Sequence, residues 1–256
     1  MRSAVRICLA APEFPRNRKV SGFFFAFPDI IPAVDDAKAP VHSYISGFYI
    51  ENSIPQTGAH NIVTAVLADY RGFDTLFETC VMLLAGITAL MVLSSTAKVG
   101  KKQKVSKEIK NASFSGTVID TAFRVIVPII VIYAFYVFAH GESSLGGGFQ
   151  AGALLAIAYM IDRIIPSFNN SLGTFTEQGA AMTAGVGVFI YIFTGILPMF
   201  NGGNFLEYGR LPFGAEKAAE LHVIGITMIE IGVVVCVMAT IINILEVVLE
   251  RTEFDE

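Results

Sequence analysis

The sequence predicts an all-α integral membrane protein, a bundle of about five transmembrane helices. Three observations carry that expectation. Hydrophobic residues make up 54% of the chain and charged residues only 16%, a balance foreign to soluble domains. Five apolar runs approach the roughly 20 residues that a helix needs to cross a hydrocarbon core about 30 Å thick. Glycine-rich or lysine-rich stretches separate the runs, and chains turn at such places. Helices are expected because every backbone polar group in lipid must find its partner within its own segment.

Residues 1–57 are expected to be irregular or interfacial. The stretch "SGFFFAFPDIIPAV" is apolar and aromatic, but Pro28, Asp29 and Pro32 interrupt it before membrane length. The apolar patch nearer the start is too short and too interrupted for a signal peptide. A small membrane module follows over 58–97, with its apolar run at Leu76–Thr96. Next comes a linker over 98–112, in which Lys98, Lys101, Lys102, Lys104, Lys107 and Lys110 face a single acid, Glu108. A basic loop of this kind belongs on the cytoplasmic side. The runs Val118–Ala139, Phe149–Ile165, Gln178–Phe200 and Leu221–Leu249 then form a four-helix domain over 113–256. The second of these is short, bounded by a glycine-rich turn before it and by Arg163 and Pro166 at its end. Alternation places "HGESSLGGG" outside, Arg163 to Thr176 inside, Asn201 to Ala219 outside and the acidic C-terminus inside. With five spans the N-terminus lies outside.

Several function classes drop out. The net charge of −4 leaves no basic surface for nucleic acid. Cys8, Cys80 and Cys236 are far apart, so no spacing suits a zinc site, an iron–sulfur cluster or a redox pair. No cofactor, redox centre or resident metal is expected. "GESSLGGGFQAG" lacks the lysine and the preceding strand of a phosphate-binding loop.

Charged residues inside or beside apolar runs are the informative ones, because lipid tolerates them only when they are paired or used. If the helix begins near Asp69, then Arg71, Asp74 and Glu78 follow i, i+3, i+7 and share one face. Two carboxylates beside one cation suit proton or sodium exchange, with a transient Na+ at Asp74 and Glu78. The alternative is an interfacial salt-bridge cluster, formed if Gly72 breaks the helix first. Asp120 and Arg124 stand at i, i+4 and can neutralise each other, and Pro128 predicts a kink one turn later. Glu230 lies deep in the longest run with no cation within a helical turn. It needs a proton, a water pocket or a partner from another helix. His140 and His222 fall at outer helix ends, placed to shuttle protons or simply to meet water. In the turn between the second and third runs, Gly146, Gly147 and Gly148 permit a tight reversal. Gly146, Gly148 and Gly152 offer a small-residue face to another helix, as do Gly185 and Gly187 further on. His140, Glu142 and Gln150 are the polar groups at the mouth of any pathway there.

Together these motifs resemble a known family. "FAHGESSLGGGFQAG", preceded by the Arg124…Pro128 helix and followed later by "MIEIGV", is similar to the B subunit of Mrp-type multisubunit sodium/proton antiporters. "GAHNIVTAVLADYRGFDTLFE" resembles the small membrane module at the C-terminal end of the antiporter's A subunit, also found as a separate E-like subunit in membrane-bound hydrogenases. The resemblance covers roughly residues 58 to 250 and reads as a fusion of the two; residues 1–40 lack the clean first membrane helix such modules carry.

The resemblance implies a subunit that works only in a large assembly related to the membrane arm of respiratory complex I, multi-pass in a prokaryotic inner membrane. Its implied partners are A-, C-, D-, E-, F- and G-like subunits, the lipid bilayer, Na+ and H+. The ion-translocation candidates are then Arg71, Asp74, Glu78, Asp120, Arg124, His140 and Glu230; Pro128, Gly146, Gly147, Gly148, Gln150 and Gly152 are structural motif positions. Two other readings stand beside the antiporter. One is the same module in an energy-converting hydrogenase or sulfur-reducing complex, and the other is a passive scaffold. Glu78→Gln or Asp74→Asn is expected to abolish exchange if the chain takes part in transport.

Overall fold

Helix α7, Ala218–Thr252, is the axis on which three of the other four long helices pack. The computed structural model describes residues 45–96, 117–164, 172–214 and 218–252, so the segment before 45 and the basic linker lie outside the described residues. Within them the chain forms α1 (Ser46–Thr57), α2 (Ile62–Thr64), α3 (Gly72–Thr96), α4 (Thr117–Ala139), α5 (Gly148–Ile164), α6 (Glu177–Ile196) and α7. The end of the 1–57 segment is thus helical. The described residues from Tyr49 onward fold as one unit.

Each boundary has a local cause. Asn61 caps α2, its side chain accepting the Val63 N–H at 3.0 Å. From α2 the chain runs on into a π-helix over Ala65–Tyr70 that ends at Arg71, where φ is −122° and ψ 33°. Helix α3 then restarts at Gly72, with the Asp74 N–H bonded to the Arg71 carbonyl at 2.9 Å. Helix α4 continues through Pro128, which sits on its exposed surface. Thr176 caps α6 by accepting the Gly179 N–H at 3.1 Å. A 3-10 turn at Leu197–Asn201, begun by Pro198, closes it with Gly202 at φ +72°.

Helices over Gly72–Leu93, Thr121–Ala139, Glu177–Asn201 and Ala218–Leu249 are long and apolar enough to cross a membrane. With its 17 residues, α5 rises about 26 Å. It follows α7 from Gly148 beside Glu230 to Tyr159 beside Glu246. The protein is therefore an all-α multi-pass membrane protein with about five crossing helices, the number that its apolar runs predict.

Helix α3 runs parallel to α7. Cys236 Sγ–H donates to the Thr79 carbonyl at 3.5 Å and Asn243 Nδ2 to the Gly86 carbonyl at 3.2 Å, with 157 residues between partners in both cases. The two contacts lie seven residues apart on both helices, two turns along one shared face. Helix α6 is antiparallel to α7, and the pair touches where Gly187 meets Gly232 and Cys236. Helix α4 packs on α5 and leaves Val125, Ile129, Ile132 and Phe135 exposed, as a helix next to lipid or another subunit does. Because lipid tails are as apolar as leucine, the helices gain little from hydrophobic burial against each other. Close backbone approach and buried hydrogen bonds worth about 0.6–1.7 kcal/mol each fill that role.

The 57–71 segment, the 140–147 turn and the 201–214 loop meet at one end of the bundle, tied by Asn61–Glu142, Asp69–His222 and Tyr208–Ala68 contacts. All three are segments that alternation assigns to one side.

Candidate ion-translocation site

The turn between α4 and α5 is folded around a carboxylate. His140 starts it, exposed at the helix end, with Nδ1 3.0 Å from the Tyr136 carbonyl and its ring stacked on Tyr136. Gly147 takes φ +137°, a conformation that L side chains rarely adopt. A Cβ on Gly141 would lie 3.2 Å from Glu230 Oε2, and one on Gly147 3.4 Å from Oε1. Any larger residue at either position would press on the acid. Gly148 and Gly152 carry the same fit down α5, since a Cβ there would come within 2.7 Å of the Glu230 carbonyl and 2.9 Å of that of Val234.

The small module closes the other side. Asn61 Nδ2 donates to the carbonyls of Gly141 at 3.1 Å and Ser144 at 2.7 Å, while Thr64 Oγ1 donates to Gly141 at 2.7 Å. The Asn61 N–H reaches the Glu142 carbonyl at 2.8 Å, and Thr227 Oγ1 donates to Glu142 Oε1 at 2.5 Å. Between the clamp and the turn lies a cavity of about 180 Å³, far above the roughly 10–15 Å³ that one water requires. Thr64, Thr75, Glu78, Gly147, Gln150 and Glu230 line it together with apolar side chains. Glu230 is buried, and no hydrogen bond or ion pair among the described residues reaches its carboxylate. Glu78 is exposed on α3 and faces the cavity mouth. An acid in apolar surroundings without a partner needs a positive charge, and a proton or a small cation supplies it. Among the described residues no group of His, Cys, Asp and Glu is placed to hold a resident metal.

The sequence-predicted residues divide into two groups. Glu78, Glu230, Gly146, Gly147, Gly148 and Gln150 come together at the cavity. Arg71 and Asp74 do not line it. Arg71 precedes α3 instead of riding on it, because the π-helix ends there, and it pairs with Asp74 in the open, the two side chains 58% and 44% exposed. The pair itself is what the alternative reading, an interfacial salt-bridge cluster, requires of these residues. Asp120 lies in the first turn of α4, its side chain outside the described residues, and Arg124 sits on the exposed face of that helix. Arg124, Pro128 and His140 do not line the cavity. Of the second glycine pair, Gly187 touches α7, whereas Gly185 faces open space.

Other groups, and the partner that His222 finds, escaped the sequence reading. Asn61 stands directly before an apolar run, which is a helix-start signal. Asp69 Oδ2 lies 2.7 Å from His222 Nδ1 at the outer end, beside Tyr208, whose phenol burial pushes up so that it stays a donor to the Ala68 carbonyl at 3.2 Å. At the inner end buried Glu246 accepts from Tyr159 Oη at 2.6 Å and Arg163 Nε at 3.0 Å. A wider cavity of about 530 Å³ opens there, lined by Arg163, Thr176, Glu177, Gln178 and Glu246. Glu246 carries the same signal as Glu230, an acid without a cation within a turn, but its place near the acidic C-terminus masks it.

Residues 118–243 match a domain related to the MnhB subunit of Na+/H+ antiporters, and residues 34–99 match MbhE, the E subunit of MBH. A relative from Rhizobium meliloti (strain 1021), described as a probable A/B subunit of a K+/H+ antiporter, is 24% identical over 78% of this chain and 22% of its own length. The mnhB2 antiporter subunit of Staphylococcus haemolyticus (strain JCSC1435) is 29% identical over 50% of this chain and 90% of its own. The chain thus spans about a fifth of the first relative and nearly all of the second. Among solved structures, the Mrp complex of Dietzia sp. DQ12-45-1b contains a chain with the same fold, with TM-score 0.61 and 22% identity over 80% of this chain and 22% of that one. A chain of the membrane-bound sulfane sulfur reductase, an archaeal respiratory membrane complex, matches with TM-score 0.60 and 27% identity over 87% of this chain and 91% of its own.

Proposed function

We propose that this chain, in which residues 34–99 match MbhE and residues 118–243 match a domain related to the MnhB subunit, serves as a non-redox subunit of a multisubunit Na+/H+ antiporter. In this reading it lends carboxylates to the ion path and helps hold its neighbours in place. It resides in a prokaryotic inner membrane and works beside other membrane subunits of the A- to G-like set. The observation that carries the proposal is the meeting of Glu78, from one module, and Glu230, from the other, at one cavity. A proton released by either acid can be replaced by a passing monovalent cation, and alternation between the two is the elementary step of exchange.

The test is Na+-dependent proton movement in inverted vesicles that hold the whole assembly. Glu230→Gln and Glu78→Gln are each expected to lower it at least tenfold while the complex still assembles, with K+ measured in parallel. Full exchange by both assembled variants would identify the chain as a passive scaffold.

The near full-length match to the sulfane sulfur reductase chain supports a second reading. The same cavity would then serve a membrane arm driven by redox chemistry on other subunits. Isolating the assembly and asking whether nickel–iron or iron–sulfur subunits copurify separates the two.

A further inference from the structure

A second carboxylate touches α7 one turn outside Glu230. Glu142 follows Gly141, whose Cβ position lies 3.2 Å from Glu230 Oε2, and its side chain is half-buried in the outer turn. Its Oε1 lies 2.5 Å from Oγ1 of Thr227. Thr227 precedes Glu230 by three residues, so the two share one face of the helix. The small module pins the backbone at this point, with the Asn61 N–H on the Glu142 carbonyl and Thr64 Oγ1 on that of Gly141. Glu142 is therefore placed by the same clamp that walls the cavity.

Thr227 has more acceptors than hydrogens. Its Oγ1 is 2.5 Å from Glu142 Oε1 and 2.9 Å from the Val223 carbonyl, and a hydroxyl carries a single hydrogen. With Glu142 ionised, that hydrogen turns to the carboxylate. With Glu142 protonated, the acid donates to Thr227 Oγ1, and the threonine gives its own hydrogen to Val223, as Thr57, Thr183 and Thr194 do to the carbonyl four residues earlier. The same arrangement serves both states of the acid.

Two negative charges do not fit here. Glu230 is 8% exposed, its carboxylate has no hydrogen-bond or ion-pair partner among the described residues, and Glu142 is near enough for its charge to act on it. No ion pair among the described residues reaches Glu142 either. His140, the base on the same turn, is bonded back to the Tyr136 carbonyl and stacked on that ring. Carboxylates so placed repel, and such a pair titrates as one unit that keeps a positive charge in common. Glu230 lines the cavity, whereas Glu142 stands in the outer turn and does not line it.

We propose that Glu142 and Glu230 share one proton, and that Glu142 is the station through which protons and monovalent cations pass between the outer water and the Glu230 cavity. As a cation enters from the outer side, the pair releases its proton to water through Glu142, and Thr227 swings its hydrogen from Val223 to the freed carboxylate. Return of a proton from water to Glu142 expels the cation and swings the hydrogen back, so the charge of the site is conserved. The passage rests on the transport role proposed above, whereas the shared proton does not.

An apolar carbodiimide tests the shared proton in the intact assembly. It adds to a protonated carboxyl, whose proton goes to a carbodiimide nitrogen as the carboxyl oxygen bonds the central carbon, and mass spectrometry locates the adduct. Labelling is expected at Glu142 and Glu230 in the native protein, with Na+ or K+ protecting both acids in parallel. In Glu142→Gln the labelling of Glu230 is expected to fall about fivefold, because the charge that kept a proton beside it is gone. No labelling in the native protein, protection of one acid alone, or equal Glu230 labelling in Glu142→Gln overturns the pair. In vesicles Glu142→Gln, which keeps an acceptor for Thr227, is expected to slow exchange about a hundredfold, the lower edge of what a positioned proton donor contributes. Thr227→Val is expected to slow it about tenfold, and Thr227→Ser, which returns the hydroxyl, to recover it. Full exchange by assembled Glu142→Gln overturns the passage, and if Glu230→Gln still fails to exchange, the antiporter role survives. Full exchange by Glu230→Gln as well sinks that role too, and the labelling alone then decides the shared proton.

Discussion

Asn61 donates its side-chain amide to the carbonyl of Gly141 at 3.1 Å across 80 residues of chain. This bond joins the small module to the four-helix domain at the turn that encloses Glu230. The same amide also holds Ser144, and its oxygen caps α2, so one side chain fixes a helix start and a cavity wall together.

Asn61→Ala is accordingly expected to destabilise the fold by about 1–3 kcal/mol, the cost of leaving buried polar groups without partners. Thermal unfolding of the solubilised assembly measures it, and Asn61→Asp, which keeps the cap but loses the donor, should fall between.

Gly148 and Gly185 make a controlled pair. A Cβ at Gly148 would meet α7 backbone at 2.7 Å, while one at Gly185 meets nothing within 4 Å. Gly148→Val is expected to cost roughly 1–3 kcal/mol or more through overpacking against an atom that cannot move aside. Gly185→Ala should leave assembly yield unchanged. Equal yields of the two would show that α5 does not depend on this approach.

Glu246→Ala strands Arg163 and the Tyr159 hydroxyl at the inner end. Arg163 is 32% exposed and Glu246 8%, so the loss is expected near 3 kcal/mol, the lower edge of what breaking a buried pair costs. Glu246→Gln should recover part of it by keeping an acceptor for Tyr159 Oη, read as the melting temperature of the assembly.

Asp74→Asn removes an ion pair whose side chains are about half exposed. Surface pairs of this kind contribute about 0–1 kcal/mol. Because Asp74 does not line the cavity, the exchange lost in Glu78→Gln is expected to survive in Asp74→Asn. Equal loss in both would bring the whole Arg71–Asp74–Glu78 group into the ion path.

In the outer loop, the Asn204 N–H and then the Arg210 charge hold the Glu207 carboxyl below the usual carboxylate range. A folded-state value lowered in this way means that the turn gains stability above the unfolded value and loses it as pH falls through the folded one. Hydrogen exchange at the Asn204 amide, corrected for its intrinsic acid dependence, should accelerate only below the ordinary carboxylate range. Glu207→Gln should show no such step.

Hydropathy made the long helices readable because lipid demands length and apolarity from each one separately. Glu230 and the glycines of the turn were readable for a related reason: an acid with no cation on its own helix, and glycines packed into one turn, are conspicuous against lipid. Arg71 was not, since its place depends on a π-helix over Ala65–Tyr70 that no periodicity announces. Asn61, Glu246 and Asn243 also stayed hidden. Their partners lie 80 or more residues away, and a contact of that span belongs to tertiary packing.

The parallel lock between α3 and α7 bears on how such proteins are encoded. Thr79 and Gly86 grip Cys236 and Asn243 through the interior of the bundle, while Asn61 and His222 fasten the outer end. The two modules are therefore held by surfaces and not by the peptide that connects them. Cut within the lysine-rich stretch into two polypeptides, the halves would still recognise each other, so one gene or two can specify the same object.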